Sequence, residues 1–191
     1  MFKKISSNTL VFILFILILL GFELYALKVG SHYSLDSFIM IGVMGIVFLL
    51  RKKIHLHPVH FALFGIVMVL HNLGVFGFYG KTPWGLEYDY WVHGYFGLIF
   101  SWILIRAHVF NKILSTPIIY VFVIFFVLGF SAAHELVEYQ GAMAFGEGEG
   151  FIFFGIGDWD RFDSQKDMQN ALIGAIIGCL GYAVYERVKN R

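Results

Sequence analysis

The chain has a single cysteine, Cys179, and it lies inside the last apolar run. Intrachain disulfides and cysteine metal sites are therefore excluded, and Cys179 reads as a small packing residue. Charge is scarce too. Asp, Glu, Lys and Arg make up 14% of the residues, whereas 59% are hydrophobic, 19% are aromatic and the mean hydropathy is +0.75. Soluble domains are closer to about half apolar, so an ordinary soluble domain is excluded. Also missing are a GxSxG nucleophile motif, a phosphate loop, a dinucleotide fingerprint and any basic stripe. Nucleic acid is not an expected partner.

What remains is long apolar sequence. Runs such as VFILFILILLGF and YVFVIFFVLGF are apolar on every side, unlike the alternating segments of about ten residues that build a membrane barrel. The expected fold class is all-α: a polytopic membrane protein, one domain over residues 1–191. Six helical spans are expected at about 9–28, 36–50, 59–79, 91–108, 116–139 and 169–187. Lys3 and Lys4 precede the first run, but no small-residue cleavage pattern stands before Lys28, so the run reads as a span rather than a signal peptide. With both termini cytoplasmic, Lys3, Lys4, Arg51, Lys52, Lys53, Arg106, Lys112, Arg187, Lys189 and Arg191 fall on inner segments. Only Lys28, Lys81, Arg161 and Lys166 fall on outer ones. That bias sets the orientation.

This topology brings three polar clusters to the outer membrane level: EYDYWVHGYFG before the fourth span, HELVEYQG at the end of the fifth and GDWDRFDSQKDMQNALIGA before the sixth. Asp89 and His93, His134 and Glu138, and Asp163 and Asp167 are each spaced i,i+4, which puts both members on one face of a helix. Glu135 and Asn170 join them at i,i+3. His71 and Asn72 in the third span, with Glu23 in the first, lie about two turns or less below that surface and form the expected floor of a pocket. Unpaired carboxylates beside an apolar run need a cation, a proton or a donor, which favours a functional site over scattered interfacial charge.

Imidazoles beside carboxylates suit zinc, iron or manganese. A divalent metal is therefore the expected cofactor, with His93, His134, Glu138, Asp163 and Asp167 as candidate ligands. Glu135, Glu138, His93 and Asp89 are the candidate catalytic groups, because paired carboxylates sharing a proton next to an imidazole provide an acid and a base. Asn170, His71 and Arg161 are the candidate substrate-binding residues. HELVE lacks the second histidine of HExxH, so a zinc peptidase of that kind is disfavoured. The series Asp158, Asp160, Asp163, Asp167 lacks the glycine and spacing of an EF-hand loop. SQKD at 164–167 also reads as a helix capping box with Asp in place of Glu. His55, His57 and His60 read as a polar inner loop around Pro58, and Glu147 and Glu149 as solvated loop charges.

The pieces DYWVHGYFG, HELVEY and DSQKDMQNALIG, taken in that order, resemble the YjdF-like family of bacterial inner-membrane proteins of unknown function. More distantly the chain resembles VanZ-like proteins. The resemblance covers about residues 85–185. It implies a compact helical protein of the bacterial inner membrane, and its VanZ-like side implies an association with resistance to glycopeptides that act on the cell wall. Three readings stay open: an enzyme on a lipid-linked or envelope substrate, a non-enzymatic binder of a lipid head group, metal ion or envelope-directed antibiotic, and an ion- or proton-coupled carrier. A glycine-rich outer loop at about 141–166, with Gly141, Gly146, Gly148, Gly150, Gly155 and Gly157, is expected to act as a lid. Gly174, Gly178 and Gly181 are expected to let the last helix pack closely. Oligomeric state stays open, because Trp84, Trp91, Trp102 and Trp159 suit a lipid belt as well as a partner.

Overall fold

The structure, a computed structural model, describes residues 5–30, 36–111, 116–145 and 162–189. These residues form helices α1 (Ser7–Val29), α2 (Asp36–Leu50), α3 (Pro58–Leu73), α4 (Tyr88–Asn111), α5 (Thr116–Phe145) and α6 (Asp163–Lys189). No strand occurs among the described residues. Four of the helices, α1, α4, α5 and α6, are long and apolar enough to cross a membrane. The other two are apolar but shorter, at 15 and 16 residues. At 1.5 Å per residue they reach about 22 and 24 Å, short of the roughly 30 Å of a hydrocarbon core.

Local chemistry sets several helix ends. The Ser6 side chain accepts from the Thr9 amide and starts α1, while Gly30 at φ +66° closes it by donating back to the last turn. His57, expected in a polar loop, is instead the residue that caps α3, where its Nδ1 accepts from the Val59 amide at 3.3 Å, and Pro58 opens the first turn. The third run ends earlier than its hydropathy implies. Helix α3 stops at Leu73 and continues as a π-helical turn, Gly74–Phe78, in which Gly77 takes φ +103°. At the other helix ends the shift is outward. Helix α4 starts at Tyr88, α5 runs on to Phe145 and α6 starts at Asp163, so most of the polar clusters are helical rather than loop. Asp163 is the first residue of α6. Of the expected lid, Gly141 belongs to α5; Gly146, Gly148, Gly150, Gly155 and Gly157, with Glu147, Glu149, Trp159 and Arg161, lie outside the described residues.

Successive helices reverse direction. The late turns of α1, α3 and α5 and the early turns of α2, α4 and α6 therefore share one end of the molecule. Two cores hold the helices together. The first, among α1, α2, α3 and α4, is built of large side chains: Phe12 stacks on Phe48 at 4.3 Å, and both face Phe61 at 6.5 and 6.2 Å. The second, among α4, α5 and α6, is built on small residues. A Cβ on Gly174 would strike the Gly94 carbonyl, one on Gly97 the Ala171 carbonyl, and one on Gly178 the Ser101 hydroxyl. Backbones meet there. Gly181, by contrast, has only the Trp102 ring nearby, at 3.7 Å. Cys179 is buried in this core as a free thiol.

Candidate functional site

Asp167, Ala171, Gly174 and Gly178 are all buried on α6, and their spacing of four, three and four residues puts them on one face. Close contact of that face with α4 sets Asp167 against the first two turns of α4, where Asp89 and His93 stand one turn apart. His93 Nε2 lies 3.4 Å from Asp89 Oδ1 and 3.8 Å from Asp167 Oδ2. Each of the three residues offers a ligand atom within 4.8 Å of the others. Asp167 is 3% exposed, and its Oδ1 has no hydrogen-bond partner among the described residues. Two carboxylates this close cannot both stay charged without a proton or a cation between them.

Helix α5 supplies the next wall. His134 Nε2 lies 3.2 Å from Glu138 Oε1, and its ring centroid is 6.0 Å from that of His93. Glu135 is buried and turned toward Ser164 at the start of α6. On the other side the His134 ring is 6.1 Å from His71. Three imidazoles from α3, α4 and α5 thus form a row across this end of the bundle.

His71 belongs to a second, drier group. Its Nε2 is 3.1 Å from Asp36 Oδ2 at the first residue of α2, a charge contact whose angle falls off the hydrogen-bond line. Its Nδ1 meets the Tyr79 hydroxyl at 2.9 Å. Tyr79 stands beyond the end of α3, and burial first, then the carboxylates of Asp89, Glu138 and Asp36, push its hydroxyl well above the ordinary tyrosine range. It therefore stays protonated, and the His71 ring is held from both sides, by the Tyr79 hydroxyl at Nδ1 and the Asp36 carboxylate at Nε2. Beside this chain Ser37 Oγ donates to Asn72 Oδ1 at 2.6 Å, and Asn72 Nδ2 donates to the Met68 carbonyl at 3.0 Å. Glu23 of α1 is 3% exposed next to Asp36, with Oε2 unpartnered among the described residues.

The family model described as predicted membrane protein (DUF2238) matches residues 8–187. The chain belongs to that family. DUF2238 is a family of membrane proteins of unknown function, and the match spans every residue of the site from Glu23 to Asn170. Neither a curated protein nor a solved structure matches the chain.

For this DUF2238 chain, the residues expected from the sequence fall into three groups. Asp89, His93 and Asp167 converge, with His134, Glu135 and Glu138 beside them. Asp163 stands one turn outside the three, and Asn170 turns its backbone carbonyl toward Gly94. Arg161 lies outside the described residues. His71 is present but paired with Asp36 and Tyr79, two residues the sequence did not single out. Asp36 had one signal, as the lone charge opening the second apolar run; Tyr79 sits past an irregular turn that hydropathy reads as helix.

Proposed function

We propose that this protein is a six-span helical protein of the bacterial inner membrane, both termini cytoplasmic. Its pocket binds a divalent cation through Asp89, His93 and Asp167 and acts on a lipid-linked or envelope substrate. The observation that carries this reading is the set of three ligand atoms within 4.8 Å of one another, at the end of the bundle where the carboxylates gather. One imidazole and two carboxylates suit zinc, manganese or iron, and three protein ligands leave coordination positions open, as catalytic sites do. A cation there supplies Lewis acidity and a nucleophilic water at neutral pH. His134 stands beside His93 and is paired with Glu138, with Glu135 buried next to them, and a hydrolytic or group-transfer step is the chemistry such a set serves.

The YjdF-like reading agrees with the family, and the VanZ-like likeness is what directs attention to envelope substrates. A binding protein without turnover would use the same pocket. The carrier reading is the weakest, because below the three imidazoles the crevice is lined by Met40, Val43, Val67, Met68, Val92, Phe96 and Phe130 with one hydroxyl, Ser131, and, among the described residues, no ionisable group to relay an ion.

Elemental analysis of the detergent-purified protein tests the metal. One equivalent of a divalent ion in the wild type, lost in Asp167→Asn with the thermal unfolding midpoint retained, is the expected result. Absence of an ion after dialysis against zinc and manganese would overturn the metal reading and leave the carboxylates sharing protons.

A further inference from the structure

Helix α5 packs on α4 and α6 but not closely on α2 or α3. The gap is a cavity of about 120 Å³, bordered by Met40 and Val43 of α2, Val67 of α3 and Phe130 and Ser131 of α5, and roofed by the rings of His71, His93 and His134. Its walls are apolar with one exception. Ser131 is 3% exposed, and its hydroxyl has no hydrogen-bond partner among the described residues. A buried hydroxyl in an apolar slot is costly to leave unsatisfied. Phe130 at the rim is half exposed, on a helix whose outer face, with Val121 and Phe125, is that of a lipid-facing span.

We infer that this crevice is a lateral membrane entrance holding one hydrocarbon chain of the substrate, with the Ser131 hydroxyl donating to the oxygen that joins chain to head group. The substrate class is then an amphiphile with an anionic, phosphate-type head: the chain enters from the bilayer between α2 and α5, and the head reaches the histidines and the cation site above. The inference rests on the proposed function for its head group and on the crevice for its chain. Adjacency of the two spaces selects this occupant, since the same three rings line the upper part of the crevice and meet the carboxylates. The size of the crevice admits a few carbons of one chain and excludes two chains side by side. Two groups from the structure thus divide the work: apolar walls accept any chain of suitable width, and Ser131 fixes how deep it slides.

The test uses the full chain in nanodiscs of phosphatidylethanolamine and phosphatidylglycerol with a trace of phosphatidic acid carrying a diazirine on one acyl chain. After illumination, labelled peptides are read by mass spectrometry, and metal content is measured in parallel. Labelling at Met40, Val43 or Phe130, reduced at least about tenfold by Val43→Trp and shifted along the chain by Ser131→Ala, is expected. Labelling confined to outward residues such as Leu17 and Phe125, or crevice labelling unchanged in both variants, overturns it. Ser131→Ala keeps the test open if Val43→Trp does not fold. Crevice labelling without metal would remove the cation and keep the entrance; metal without crevice labelling would do the reverse.

Discussion

The two halves of the molecule are held together by opposite means. Helices α1, α2 and α3 interlock through large rings, with Phe12, Phe48 and Phe61 filling the space between them. Helices α4 and α6 instead meet backbone to backbone at Gly94, Gly97, Gly174 and Gly178. Each half also carries a histidine and aspartate pair at the same end. In the first half the pair is Asp36 and His71, buried at 2% and 7% exposure and tied to Tyr79. In the second, Asp89 and His93 are half-buried and face a second carboxylate. The comparison teaches that the half packed with large rings keeps its polar pair buried and local, whereas glycine contact in the other half brings a carboxylate from a second helix into reach of the pair.

The largest effect is expected at the glycine contact. Gly174→Leu should abolish the folded state, because overpacking costs about 1–3 kcal/mol even where side chains can yield and here a backbone carbonyl cannot. Gly45→Leu in α2, with nothing within 4 Å of the position, should leave thermal unfolding in detergent nearly unchanged. Equal damage from both would break the comparison. Next come the two aspartates. Asp167→Asn should remove bound metal while shifting the unfolding midpoint little. Asp36→Asn should leave metal content intact and cost about 1–3 kcal/mol, since it strands the buried His71. Reversal of these two outcomes would move the centre to the first half. The smallest effect is Asn8→Ala, which loses the 3.0 Å bond to the Leu56 carbonyl that fastens α1 to the segment before α3. About 1 kcal/mol is expected, read as a small midpoint shift.

Helical class and most of the site were legible in the sequence because both follow from spacing. Asp89 with His93 and His134 with Glu138 repeat at four residues, and the apolar runs carried the helices between them. Gly174 and Gly178 were legible as small residues in the last run, but Gly94 and Gly97, their counterparts on α4, were not, since a close approach needs two surfaces and one sequence shows only one at a time. Asp36 was hidden for a similar reason. Its partner His71 is on another helix, and no spacing rule links them. Tyr79 was lost to the turn at Gly77, where φ of +103° redirects the chain that hydropathy continues as helix.

The unequal helix lengths have a consequence for the membrane itself. Helix α5 has 30 residues, about 45 Å at 1.5 Å per residue, while α2 has 15. A hydrocarbon core of roughly 30 Å would be matched by α5 only with tilt, and by α2 only where the lipid beside it thins. Such thinning would fall on the flank where α2 faces α5. Lipid thinned there would splay to cover more area per molecule, since its volume is conserved, and the bilayer would part most easily where the helices leave a gap.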